Sequence, residues 1–212
     1  MRKVKDGKIV GKAVDVKVDS SIEHGNINNV TSIVLHRTDS SNAGSAFQAY
    51  TNGKKSGGYF LIDKAWKIDQ TADMKKRCWH VRTLLPGCQI EKNCDPKELK
   101  TIMALTHEKG FSFSRRAGNL SRHEAEKKYP LRYPSNNDSI GIEVVGKFWA
   151  FQKSFVKLTQ QQFKSLKWSV EIIAKKYNLN IKTNVYAHGA IARKEASEDA
   201  RLLQHLFSGM AA

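Results

Sequence analysis

A single α/β domain, built on a central mixed β-sheet flanked by helices, is the fold class the sequence predicts. Three observations predict it. Short apolar runs at Ile33-Val34-Leu35, residues 140–145 and Val185-Tyr186-Ala187 read as strands buried inside a sheet. Amphipathic stretches alternate with these runs, as helices do when they cover a sheet. No linker or internal repeat divides the 212 residues, a length close to that of one large domain.

Residues 1–30 form a polar N-terminal extension in which Val14, Val16 and Val18 alternate like an edge strand; the main domain then spans 31–212. Ala43, Ala46, Phe47 and Tyr50 carry helical spacing, and Tyr59-Phe60-Leu61-Ile62 with residues 66–70 reads as a hairpin. An irregular insertion follows at about 83–138. It begins as a loop, and Asp95-Pro96 has the cap and first-turn chemistry of a helix reaching about Glu108. From 110 it reads as irregular and basic, with a short helix near 121–128. Thr159 and Gln162 make a capping box that opens the clearest helix, with Phe163, Leu166, Val170, Ile173, Ala174 and Tyr177 on one face. Leu202, Leu203 and Leu206 mark a terminal helix.

The balance of 36 Lys+Arg against 20 Asp+Glu gives a net charge of +16, which favours polyanionic partners without fixing the fold. The lysines are scattered, and no basic zipper, RNA-recognition signature or paired Cys/His finger accompanies them, so nucleic acid is not the expected partner. No apolar run approaches the ~18 residues of a membrane span, and no secretory signal is visible at the basic amino terminus. Cys78, Cys88 and Cys94 fit one local disulfide with a spare thiol, or three reduced thiols; the spacing does not say which two would pair.

Two histidines stand out. His36 ends one apolar run and His188 ends another, and ligands in open α/β sheets gather beyond strand ends. A lone histidine in such a place is usually structural; two in the same context point to a metal. Glu143 lies inside the apolar strand Ile140-Gly141-Ile142-Glu143-Val144-Val145, where an unpaired carboxylate costs several kcal/mol. It is either a structural partner for a lysine or a general base, with Gly141 leaving space on the same strand face. His24, His107, His123 and His205 read as solvated.

Ile33-Val34-Leu35-His36-Arg37-Thr38, Gly58-Tyr59-Phe60-Leu61-Ile62-Asp63, Cys78-Trp79-His80, Asn137-Asp138-Ser139-Ile140-Gly141-Ile142-Glu143 and Ala187-His188 occur in one order. In that order they resemble the zinc-dependent N-acetylmuramoyl-L-alanine amidases, which include phage lysozymes, wall-recycling amidases and peptidoglycan recognition proteins. The resemblance covers residues 31 to about 200. It implies that fold, a Zn2+ cofactor, peptidoglycan as substrate, and hydrolysis of the amide between N-acetylmuramic acid and L-alanine by a zinc-activated water. By position it implies His36 and His188 as zinc ligands, Glu143 as the carboxylate that activates water, Tyr59 and Lys194 as transition-state donors, and Trp79 with His80 lining the muramyl-peptide groove. The family's third ligand is a Cys or Asp eight to ten residues beyond the second histidine. Here the eighth position is Ala196 and the tenth is Glu198, with Asp199 adjacent. Glu198 is the expected ligand; with no ligand there, the chain would be a non-catalytic peptidoglycan-binding module. The missing signal, the basic charge and the cysteine-bearing insertion are similar to type VI secretion amidase effectors and to phage endolysins. Both would be made in the bacterial cytoplasm and act in the periplasm or wall after export or injection. An injected toxin would also imply a cognate immunity protein, acidic where it meets this basic chain.

Overall fold

The computed structural model describes residues 3–194 together with Leu202, Leu203 and Leu206. In chain order the strands are β1 (Lys3–Lys5), β2 (Lys8–Val10), β3 (Val14–Val16), β4 (Glu23–Asn26), β5 (Ser32–Arg37), β6 (Phe60–Ile62), β7 (Ile68–Gln70), β8 (Lys76–Cys78), β9 (Ser139–Val144), β10 (Phe148–Trp149), β11 (Ser154–Phe155) and β12 (Val185–Ala187). The helices are α1 (Ala43–Ala49), α2 (Gly87–Ile90), α3 (Pro96–Thr106), α4 (Phe113–Glu126), α5 (Gln160–Tyr177), α6 (Ile181–Asn184) and α7 (His188–Ile191).

Six strands form the central sheet in the order β12-β5-β9-β6-β7-β3, and it is mixed, as the sequence predicts. The neighbours β12, β5, β9 and β6 run parallel, β6 and β7 make the antiparallel hairpin, and β3 is the edge strand beside β7. Parallel strands need covered faces, and both faces here are covered near the centre. Ile33, Leu35, Ile140 and Ile142 belong to the main core with Leu166, Val170 and Ile173 of α5. Each such fully buried side chain contributes about 1.5–3 kcal/mol. Thr159 accepts from the Gln162 amide, and Gln162 accepts from the Thr159 amide, so both ends of the capping box close. Leu202 and Leu206 are buried in the same core.

The opposite face carries Val34, which packs with Val81, Leu84, Tyr133 and Ile191 in a second cluster. This face receives the inserted segment. Residues 1–30 are polar in sequence, yet Ile9, Val14 and Ile22 are buried in the main core, so this stretch packs as part of the domain.

The insertion is more ordered than the sequence suggests. In place of a short helix near 121–128, α4 runs through Phe113–Glu126, with Ser112 accepting from the Arg115 amide at its start. Its residues, Phe-Ser-Arg-Arg-Ala-Gly-Asn-Leu-Ser-Arg-His-Glu-Ala-Glu, hold no apolar stripe, and packing against α3 supplies what periodicity did not. Cys88 and Cys94 form a disulfide that closes α2 onto the start of α3, and Cys78 is buried and unpaired. Burial pushes the Cys78 thiol up to about 12, so it is neither a nucleophile nor a thiolate ligand at neutral pH. Where the insertion re-enters the sheet, Arg132 grips Asp138 with two nitrogens at 3.3 and 2.8 Å, and both residues are nearly buried. Asp138 also accepts from the Ser135 amide and hydroxyl, which fixes the chain just ahead of β9.

Candidate active site

Strand register assembles the site. Ala187 of β12 lies beside Leu35 of β5 in parallel, so the next residues, His188 and His36, leave adjoining strand ends together. Their rings are 4.3 Å apart between centroids, and both are buried. On the other side of β5, His36 is the direct register partner of Glu143 in β9. The three residues therefore meet at the carboxyl ends of three parallel strands, the general position for ligands in such sheets. They line one cleft of about 230 Å³ with Thr38, Tyr50, Trp79, His80 and Lys194.

His80 sits behind His36. Burial drives its imidazole down to about 3, and burial drives His36 well below the ordinary histidine range, so both rings are neutral at neutral pH. The Nε2 of His80 lies 3.2 Å from the Ser139 carbonyl, which can only accept, so that nitrogen carries the proton. Its Nδ1 is then bare and accepts from the Nε2–H of His36 at 3.0 Å. This chain leaves the lone pair of His36 on Nδ1, and an outer partner of this kind commonly orients a metal-ligating imidazole. His80 is itself held, because Asn136 accepts from the backbone amides of both His80 and Val81.

Glycines make the room. A Cβ on Gly141 would meet His80 Nδ1 at 2.7 Å, so the space beside Glu143 on the strand face is occupied by the His80 ring. A Cβ on Gly58 would meet Glu143 Cγ at 2.8 Å, and one on Gly57 would meet the Tyr50 ring at 2.6 Å. Gly57 and Gly58 thus admit the aromatic ring and the carboxylate side by side. Burial raises the Tyr50 phenol well above its ordinary value, and the Glu143 charge adds to the shift. Tyr50 is a cleft residue that sequence reading missed: it continues α1 in helical geometry and joins the main core, while its ring lies against Gly57 beside the carboxylate held at Gly58.

Tyr59 is a correction. The family resemblance expects its hydroxyl in the cleft, but the side chain is fully buried and the hydroxyl donates to the Lys76 carbonyl at 2.7 Å. It also accepts from the Cys78 amide at 3.2 Å, so it ties β6 to β8. Tyr59→Phe is therefore expected to destabilise the fold by about 2 kcal/mol, because two buried backbone groups lose their partner. Activity per folded molecule should be unchanged; denaturant midpoints beside active-site-normalised rates check both, and a rate loss at full stability would restore Tyr59 to the chemistry.

Trp79 lies at the cleft rim, 48% exposed and stacked on His24 with 3.6 Å between ring centroids. That stacking corrects the reading of His24 as merely solvated. Lys194 lies at the cleft mouth and is exposed. Glu198 and Asp199, the expected third ligand and its neighbour, lie outside the described residues, as does Ala196.

The neutral histidines have a measurable consequence for the metal-free protein. Both are unprotonated when folded and take up a proton near 6.5 when unfolded, so stability falls as pH drops below 6.5. Each costs about 2 kcal/mol between pH 7 and 5, from ~1.36 kcal/mol per pH unit. Urea midpoints at the two pH values check this, and an unchanged midpoint would mean that the rings are charged in the fold.

Two buried imidazoles side by side fit the donor type that zinc takes, and a carboxylate across the strand fits a general base. The fold agrees with known structures. Over 96% of this chain and 98% of the other, it is similar to an AmpD derivative at 16% identity with a TM-score of 0.57. It is similar to PlyL at 13% identity and a TM-score of 0.53, covering 95% and 94% of the two chains. AmpDh3 from Pseudomonas aeruginosa is similar at 18% identity and 0.52, over 85% of this chain and 60% of that one. No curated protein matches the sequence. The pattern of one family, N-acetylmuramoyl-L-alanine amidase, matches residues 26–200, which takes in every strand and helix that builds the cleft, and the chain belongs to that family.

Proposed function

We propose that the chain hydrolyses the amide between N-acetylmuramic acid and L-alanine in peptidoglycan, with a zinc ion held by His36, His188 and Glu198. The observation that carries this reading is the pairing of His36 and His188 at adjoining strand ends, with Glu143 in register across β5. Bound there, zinc would polarise the amide carbonyl and lower the pKa of water to about 7. Glu143 takes the proton from the attacking water on its carboxylate and delivers it to the leaving amine of L-alanine. Lys194 Nζ, at the cleft mouth, donates to the carbonyl oxygen as negative charge develops there. His80 keeps the His36 ring in one tautomer throughout. The stacked rings of Trp79 and His24 offer a flat aromatic platform for the muramyl sugar or the peptide at the rim.

The net charge of +16 draws the protein to an anionic envelope, consistent with action in the periplasm or wall as an injected effector or an endolysin. An effector would be held in check in its own cell by an acidic immunity protein. Among the described residues no helix is long and apolar enough to cross a membrane.

Chelation and reconstitution test the proposal. Protein stripped of metal should release no peptide from purified sacculi, and one equivalent of zinc should restore release. Full activity in excess chelator would overturn the zinc assignment, and sedimentation with sacculi without any release would make the chain a binding module.

A further inference from the structure

A second cluster of metal-type donors lies in the insertion, away from the histidine cleft. Glu98 stands in the first turn of α3, and His123 and Glu124 stand in the last turns of α4. One ligand atom from each of the three lies within 4.8 Å of the others. His123 Nε2 is 2.8 Å from Glu98 Oε1, a contact that corrects the reading of His123 as a solvated residue. Glu124 is fully buried, and its Oε2 has no hydrogen-bond partner. Among the described residues the ammonium that pairs with both carboxylates is that of Lys127, whose Nζ reaches Glu98 Oε1 and Glu124 Oε1 at 2.6 Å each.

Lys127 compensates Oε1 of Glu124, but the buried Oε2 left without a partner carries a desolvation cost. Two carboxylates facing one ammonium also leave a local charge of −1. We propose that Glu98, His123 and Glu124 form a second, structural site for a divalent cation of the zinc type, which clips α3 to α4. The donor set of one imidazole and two carboxylates suits zinc. Lys127 ends a flexible arm just beyond the α4 terminus, and its ammonium holds the place from which the ion displaces it. A cavity of about 390 Å³, lined by Glu98 and Lys127 among others, gives the ion access and leaves space for water to complete its coordination. That cavity shares no lining residue with the histidine cleft.

Calorimetric titration with zinc chloride tests the proposal in three variants. His36→Ala/His188→Ala should still bind one zinc ion and gain about 5 °C in Tm at 100-fold excess over Kd. Adding His123→Gln, which leaves the Glu98–Lys127–Glu124 pairing intact, should abolish that binding. Lys127→Met in the double variant should bind on the order of tenfold tighter, because two charge-assisted hydrogen bonds no longer compete. Loss of all binding in the folded double variant, retention with His123→Gln, or weaker binding with Lys127→Met would each overturn the site. Should the double variant fail to fold, anomalous scattering from wild-type crystals soaked in zinc decides: a peak between Glu98, His123 and Glu124 is expected, and its absence there rejects the proposal.

Discussion

Glu143→Gln is expected to lower the turnover of peptide release by a factor of about 10²–10⁴, the usual contribution of a positioned general base. Glutamine has nearly the same shape, so it keeps the close fit against Gly58, where Cγ has no spare room. The register with His36 is a backbone property and is also retained. Binding to sacculi should therefore survive while the chemical step fails, so kcat falls and KM stays nearly constant. Tyr50 sharpens the expectation: with the carboxylate neutralised, the charge that helps hold the phenol up is gone, and a phenol titration moves back towards its ordinary value. Rates measured on solubilised muropeptides, where diffusion into sacculi plays no part, check the result. A wild-type rate would reduce Glu143 to a structural carboxylate.

Gly141→Ala is the second large effect, although the residue carries no functional group. The added methyl would sit 2.7 Å from His80 Nδ1, and the ring cannot retreat freely because its backbone is held by Asn136 and its Nε2 by Ser139. The ring must shift, and the hydrogen bond that sets the His36 tautomer is lost. Zinc affinity should fall by about 10–100-fold, the usual cost of losing an outer-shell partner, and overpacking should cost about 1–3 kcal/mol of stability. Saturating zinc should recover much of the activity, which separates this variant from a damaged catalytic base. Unchanged affinity and stability would mean that His80 does not position His36.

Much of this site is legible in the chain. His36 and His188 could be found because each follows a three-residue apolar run, and parallel pairing of those two runs converts a sequence pattern into a 4.3 Å ring separation. Glu143 announces itself as a charge within an apolar strand. The Thr159–Gln162 capping box and the apolar face of α5 are local signals, and they appear where the sequence puts them. The rest depends on contacts far apart in sequence. The His36–His80 bond joins residues 44 apart, and nothing near Trp79-His80 says that the imidazole will lie beneath the strand end. Tyr59 occupies the family's position, but its hydroxyl is claimed by backbone groups of β8 that no local rule anticipates. Tyr50 reads as one more core residue at the end of α1, and only the distant glycines Gly57 and Gly58 bring its ring beside the carboxylate. In α4 the pattern carries no apolar stripe at all, and its buried residue is Glu124, the reverse of what periodicity seeks.

The central claim is that this cleft cuts the bond between muramic acid and L-alanine. Mass spectrometry of the material that zinc-loaded protein releases from purified sacculi tests it most directly. Intact stem peptides with a free L-alanine amine, alongside glycan strands stripped of peptide, are the predicted products. Release of peptides cut within the stem, of disaccharides, or of nothing at all would contradict it.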